Sequence, residues 1–476
     1  MSAQGASDEG PSHTPRGSWL LTAVFLCAVA DNLFGLRAAA LVGAPFLILY
    51  IGGAWPMLLF AARVLLVLCL ALALIAAMRP DALDLLTRAA SRLIYFPAFV
   101  AALALLRAAA SRSQTTAAAG RYLVAQPPSR RYVALTLGGH FFGILFNIGG
   151  LALLIDMVKK ANTLAAAGGE KWVQELREKR MVVAIMRGFS CIALWSPLGV
   201  AMNLLIASTP GLAWAEVAPY GVAITIGMMA LGWLFDRLEA RNATGAAPAA
   251  PAVEPRGFFA VARIVGHVVA LSLIGLVVEI AADLSFQALL LALVPIYSLC
   301  WAFAVEFAER SKAPLRAALG VLRARGLNRF PAYANEIAVF STSGFLGVVL
   351  VALMPRAALQ GWIAAAALSP GIVMAGLASV VFTLGMIGIN PIVTCSILAG
   401  SFAAIDAPGL SPVGVVVALA AGWACVISVG PALSSLVMVS AQLGRPSTEV
   451  GFRWNGRYAF TALALIIAGL LLAGLR

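Results

Sequence analysis

Charge is what this sequence has least of. Only 11% of its 476 residues are charged and 62% are hydrophobic, a balance that excludes a soluble multidomain chain and specifies an all-α polytopic membrane protein. No HExxH, GxSxG or Walker sequence occurs, so the chain has no motif for an enzyme and none for a bound cofactor. The six cysteines (Cys27, Cys69, Cys191, Cys300, Cys395 and Cys425) are scattered through apolar segments with no CxxC pair. That pattern excludes a zinc site and a disulfide framework and leaves packing as their role. No cleavable signal follows residues 1–17, which are polar, Gly/Pro/Ser-rich and expected to form a disordered cytoplasmic tail. The net charge of +13 would suggest nucleic acid in a soluble chain. Here the basic residues occupy short loops between apolar spans, where they report orientation; nucleic acid is excluded as a partner and the lipid bilayer is expected as one.

What is present is a series of apolar runs, which can be measured against the roughly 20 residues needed to cross a bilayer. Ser18–Leu36, Ala38–Ala62 and Val64–Met78 read as spans. Arg79–Arg92, with leucines at helical spacing, reads as a helix along the interface, and Leu93–Ala110 crosses again. Arg112, Arg121, Arg130 and Arg131, with no acid among them, place the next loop in the cytoplasm. Residues 132–158 lie between Arg130-Arg131 and Lys159-Lys160, so both ends read as cytoplasmic. The segment is expected to be a re-entrant hairpin with Asn147-Ile148-Gly149-Gly150 at its tip; an ordinary span with a basic loop on each side is the alternative. His140 within it is either a proton-linked group or a hydrogen-bonded packing residue. Asp156, near the cytoplasmic end, is expected to snorkel or cap.

Glu170–Arg180 reads as an amphipathic cytoplasmic arm. It leads into a broken span, 188–209, and Val217–Phe235 completes a first half spanning 18–235. An Ala/Pro linker follows at 236–257. The second half, 258–476, has spans at Phe258–Ile280, Leu284–Val305 and Tyr333–Met354. The loop between the last two carries six basic residues, Arg310, Lys312, Arg316, Arg323, Arg325 and Arg329, and is placed in the cytoplasm. Residues 362–404 are about twice the length of a span, flanked by Arg356 and Asp406, and read as a second hairpin entering from outside, with Asn390-Pro391 at its tip and Thr394 just beyond. A second broken span, 413–443, and Tyr458–Leu475 end the chain. The expected total is about eleven spans and two re-entrant hairpins, with the N-terminus cytoplasmic and the C-terminus outside.

The two broken spans carry the functional signal. Gly430-Pro431 interrupts one apolar run beside Ser428, Ser434 and Ser435, and Ser196-Pro197-Leu198-Gly199 interrupts the other. A proline deep in a membrane helix frees backbone groups that find no water in the bilayer, so such a break either kinks against neighbouring helices or lines a polar cavity. The arrangement occurs twice: Glu449 lies eighteen residues after Pro431 and Glu216 nineteen after Pro197, each followed by a Gly and a fresh apolar span. With one hairpin opening to each side, the halves form an inverted repeat of the kind secondary transporters use, with the site between repeats. No Lys or Arg lies in the hairpins or breaks, which suits weak binding of an anion by helix N-termini and of a cation by carbonyls, and equally permits a neutral solute.

Ser196–Ile206, SPLGVAMNLLI, resembles the TPxGxxxN signature of the ion transporter superfamily, which includes the divalent anion/sodium symporters and the large membrane subunits of tripartite dicarboxylate transporters. The order of spans and hairpins resembles the symporter architecture over nearly the whole chain. At the tips, Phe-Asn-Ile-Gly and Ile-Asn-Pro-Ile replace the family's Ser-Asn-Thr. The resemblance implies a Na⁺-coupled symporter of a small organic anion, of carboxylate or dicarboxylate class, working by elevator-type alternating access as a homodimer in a bacterial inner membrane. Read from the residues alone, a proton-coupled or uncoupled exporter of a neutral or other anionic solute is the competing expectation, and a membrane-embedded enzyme or channel a more distant one. The candidate substrate- and ion-binding residues are Asn147, Gly149, Ser196, Pro197, Gly199 and Asn203 in the first half, and Asn390, Pro391, Thr394, Ser428, Gly430, Pro431 and Ser434 in the second. The only ion implied is Na⁺, near Asn147 and Asn390.

Overall fold

Three helix starts in this chain are written by a short polar residue followed by proline. Ser369-Pro370, Asn390-Pro391 and Ser411-Pro412 each open a helix, their side-chain oxygens accepting from the backbone N–H of Ile372 (3.4 Å), Ile392 (3.0 Å) and Gly414 (3.0 Å). Proline at the first helical position lacks only a donor that would have no intrahelical partner, and the cap satisfies another. The computed structural model describes residues 15–241, 256–282 and 284–474, except positions 356, 359, 362–365, 367, 404 and 406–408. Residues 1–14, most of the expected linker, and the flanking Arg356 and Asp406 of the second hairpin therefore lie outside the described residues.

The described chain is helical throughout: α1 (Pro15–Phe34), α2 (Ala38–Ala54), α3 (Phe60–Ala77), α4 (Ala82–Arg112), α5 (Gln114–Val124), α6 (Pro128–Phe146), α7 (Ile148–Ala161), α8 (Lys171–Ser190), α9 (Ile192–Trp195), α10 (Val200–Ala207), α11 (Trp214–Arg241) and α12 (Arg256–Ala282). It continues with α13 (Phe286–Ala308), α14 (Pro314–Val321), α15 (Ala334–Leu353), α16 (Pro370–Met386), α17 (Pro391–Ala403), α18 (Pro412–Ile427), α19 (Ser434–Leu443) and α20 (Trp454–Ala473). Ten helical stretches among the described residues are long and apolar enough to cross a membrane. Length alone misses the second broken element, because α18 and α19 are each short.

Several boundaries differ from expectation. The turn after α2 falls at Trp55–Leu59 rather than at Arg63, because Pro56 closes a short 3-10 turn there and Leu58 is extended. Arg79–Arg92 does not form a separate interfacial helix: from Ala82 it runs without a break into the next span as the 31-residue α4, with Leu85, Ala89 and Ala90 buried. Glu170–Arg180 is likewise no separate arm but, from Lys171, the first half of α8. The loop after Arg112 holds α5, capped by Ser113. Among the described residues the first helix of the second hairpin is α16, from Pro370, and positions 362–365 and 367 of the expected hairpin lie outside them.

By packing, the chain forms two units. One comprises residues 1–112 and 290–345, the other 113–289 and 346–476. The first is built round α4, which packs on α1, α2 and α3 and buries Tyr95, Phe96 and Phe99. Ser91 Oγ donates to the Asp31 carboxylate at 2.5 Å, so a buried acid on α1 meets a partner on α4. The second unit holds both hairpins and both broken helices.

Within that second unit the repeat is visible at the level of single residues. Gly188 and Gly422, Cys191 and Cys425, and Pro197 and Pro431 stand at one constant offset in sequence. A Cβ on Gly188 would fall 1.8 Å from the Thr136 carbonyl oxygen of α6, and one on Gly422 2.4 Å from the Ala378 carbonyl oxygen of α16. Gly143 sits against Ile192 and Phe189 as Gly385 sits against Val426. Each hairpin's first arm is thus laid on its own broken helix through glycines that let backbones touch. The second arms reach both broken helices: α7 packs on α8 and on α19, and α17 on α18 and on α10.

Candidate functional site

The first break is held open by side chains. The chain leaves α9 at Trp195 and re-enters helix at Val200, with Gly199 N–H donating to Ser196 O at 2.9 Å across the turn. Asn203, one turn into α10 and buried, returns its amide to the Pro197 carbonyl. Trp195 donates its indole N–H to His140 Nε2 at 3.1 Å and accepts the Trp214 indole on its own carbonyl at 2.7 Å. His140 Nδ1 lies 3.0 Å from Gly188 O, a pure acceptor, so Nδ1 carries the proton and Nε2 accepts from Trp195. Both nitrogens of this buried ring are occupied, which makes His140 a neutral strut between the first hairpin and the first break.

The second break is closed by small residues instead. Gly430 packs beside the Gly385 carbonyl, 3.1 Å from the position its Cβ would take, and Gly388, at φ +96°, brings the second hairpin's tip 3.3 Å from Ala432 on the same measure. Ser428 is fully buried and its hydroxyl makes only a 3.5 Å contact to Cys425 O. Pro431 is half-buried, and Ser434, the first residue of α19, is exposed.

The tips differ as well. α6 and α7 are antiparallel, with Gly150 against the Phe142 carbonyl and Leu154 near Gly138, and the turn is the single residue Asn147 at φ 52° and ψ −134°. That conformation favours glycine, and the Asn147 side chain caps neither helix. Gly149 beside it faces open space. At the second tip the positive φ belongs to Gly388, two residues before Asn390, whose side chain caps α17. Pro391 is the buried first residue of that helix.

Two of the candidate residues share a property that sequence does not reveal. Ser196 Oγ in the first break and Thr394 Oγ1 in the first turn of α17 are buried hydroxyls with no hydrogen-bond partner. A buried hydroxyl left unpaired costs about 1–3 kcal/mol, so both positions suit a polar ligand. Glu216 and Glu449 are otherwise engaged: Glu216 accepts from Ala213 N–H at 2.8 Å and Glu449 from Arg445 at 2.9 Å.

Arg187, which the sequence reading did not single out, is 3% exposed. Its guanidinium donates to Asn455 Oδ1 (3.2 Å), Tyr132 OH (3.3 Å) and Gly232 O (3.2 Å) and lies 4.5 Å from the Tyr458 ring centroid. The apolar flanks, Met181–Met186 and Gly188–Trp195, were the signal that it belongs inside a helix. Trp195 and Trp214, also missed, carry no local signal because their partners lie on other helices.

No protein-family model matches the chain, and neither does any curated protein sequence. Among solved structures it is similar to the Alcanivorax borkumensis YdaH transporter, whose crystal structure is described as revealing an unusual topology. The match covers 87% of this chain and 98% of that chain, with a TM-score of 0.56 and 16% identity. At that identity the likeness is one of fold.

Proposed function

We propose that the protein is a secondary active transporter that takes a small organic anion, of carboxylate or dicarboxylate class, at the two breaks and hairpin tips, coupled to Na⁺. The observation that carries this is the pair of buried, unpartnered hydroxyls, Ser196 and Thr394, at helix interruptions in an apolar protein. Helix N-termini at Ile148, Val200, Pro391 and Ser434 supply partial positive charge for a carboxylate without a basic side chain. Carbonyls released at the breaks and tips offer oxygen ligands for Na⁺ near Asn147 and Asn390. Occupation of both His140 nitrogens favours a metal cation over a proton relayed by that ring. The fold likeness to the YdaH transporter supports the transport class. The hairpins and broken helices would move as one body, as an elevator, in a homodimer.

Uptake into proteoliposomes over a panel of mono- and dicarboxylates, with an inward Na⁺ gradient or none, tests this. A carboxylate whose uptake rises at least tenfold with the gradient is the expected result. Uptake driven by a pH gradient and indifferent to Na⁺ would replace it with a proton-coupled carrier, and a non-saturable flux with a channel.

A further inference from the structure

The first hairpin has a second polar feature at its base, about 22 Å from the tip by helical rise over Arg131–Phe146. A cavity of about 30 Å³ is lined by Arg131, Tyr132 and Leu135 of α6, Arg177 and Arg180 of α8, and Asp236 of α11. That volume is about twice the space one water needs, enough to admit an oxygen of a larger group resting at the mouth.

The charges round this recess do not balance. Asp236 gives both carboxylate oxygens to Arg180, at 2.9 Å each, so the acid is spent on one of three guanidiniums. Arg131 and Arg177 donate only to neutral carbonyls, of Gln126 (2.9 Å) and Ala166. Arg177 Nε is buried and has no partner. Burial, and then repulsion from Arg177 and Arg180, pushes the Arg131 pKa down to about 10. Ordinary snorkelling cations turn their donors to water; here one donor is shut away from it and the like charges are held together. Two uncompensated guanidiniums and an orphaned N–H round an oxygen-sized hole are the donor set of an oxyanion site.

We propose that this recess binds a phosphate-type oxyanion, carried by an anionic lipid headgroup or free in solution. Helical membrane proteins hold acidic headgroups in such basic recesses at the bilayer surface, and the binding needs no part of the transport site. It rests on the recess and the membrane fold, not on the choice of solute.

The test uses the full chain purified in lipid-free detergent. Thermal unfolding is followed with phosphatidylglycerol, phosphatidylcholine, inorganic phosphate, or chloride at matched ionic strength, and native mass spectrometry counts retained lipid. Phosphatidylglycerol should raise Tm by about 3–5 °C and phosphatidylcholine and chloride by less than about 1 °C. A matching rise with inorganic phosphate identifies a free oxyanion as sufficient, and a rise with the lipid alone identifies the headgroup as the source. Arg131→Gln and Arg177→Gln should each weaken the apparent affinity about tenfold while leaving the Tm without additive unchanged or higher, because each removes a repelled charge. Arg263→Gln, at an exposed position on α12, should keep the full shift. The proposal is overturned by absence of any shift with phosphatidylglycerol and phosphate, by equal shifts with the zwitterionic lipid, by unaltered affinity in both variants, or by variants that unfold without additive, which would make the arginines structural.

Discussion

The two breaks perform the same bend by different chemistry. In the first half His140, Trp195 and Asn203 surround the interruption, hydrogen-bonded across helices or onto the bend itself, and Arg187 anchors the preceding helix to its neighbours. At the constant offset that relates the broken helices, Arg187, Trp195 and Asn203 are replaced by Ala421, Val429 and Val437. His140 is replaced by Phe382 at the offset that relates the hairpin arms, on which Gly143 pairs with Gly385. The second break relies on Gly385, Gly388 and Gly430 for close approach. Backbone geometry is therefore what the repeat preserves, and the means of fixing it is free to differ. One half is pinned by directional hydrogen bonds; the other is fitted by close approach of small residues.

The contacts common to both halves should give the largest effect. Gly188→Val and Gly422→Val each drive a branched side chain into a carbonyl on the facing arm, where even a Cβ would fall 1.8 Å and 2.4 Å away. Each should cost at least about 3 kcal/mol, the upper range for overpacking, with Gly188 the worse. Yield of folded, monodisperse protein on size exclusion measures it. Survival of one variant with a normal melting temperature would show that the two hairpins do not share a packing mode.

The pinning of the first half is probed by His140→Phe, which installs the residue found at the related position of the second. The Gly188 carbonyl and the Trp195 indole each lose a partner, so stability should fall by about 2 kcal/mol. At the related position of the second half, Phe382→Leu loses only packing and should cost about 1 kcal/mol. Because both His140 nitrogens are engaged in the neutral ring, the pH profile of transport in His140→Phe should match wild type. A profile that flattens would make His140 the proton carrier and reverse the choice of coupling ion.

The sequence made the breaks legible because proline in an apolar run has few readings; it made the first hairpin legible because basic residues bracket it, and the second because an uncharged run of twice a span's length holds Asn390-Pro391. Helix continuity was less accessible. Arg79–Arg92 and Glu170–Arg180 are amphipathic, but amphipathicity does not say whether the apolar face meets lipid or protein; Leu85 and Ala89 are 0% exposed against other helices. Arg187 was passed over for a related reason: its partners are 45, 55 and 268 residues away, and no local pattern announces them. The unpartnered hydroxyls of Ser196 and Thr394 were legible as residue types but not as orphans, since lack of a partner is a property of the whole fold.

The smallest expected effects lie at the tips, where the comparison is sharpest. Asn147 occupies a glycine-like conformation at φ 52° with no cap to its credit, whereas Asn390 caps α17 through the Ile392 amide. Asn147→Gly should therefore relieve strain and stabilise the protein by up to about 1 kcal/mol, and Asn147→Ala should destabilise it by a similar amount. At the second tip Asn390→Ala should lose about 1 kcal/mol of capping energy, and Asn390→Ser should recover most of it. Transport separates binding from structure. If the Asn147 amide faces solute or Na⁺, Asn147→Gly loses uptake while gaining stability, a combination that no folding defect produces. If Asn390 acts chiefly as a cap, uptake in its variants follows stability and Ser restores both. Full uptake in Asn147→Gly would remove the first tip from the binding site and leave Asn147 as a turn residue that glycine could replace.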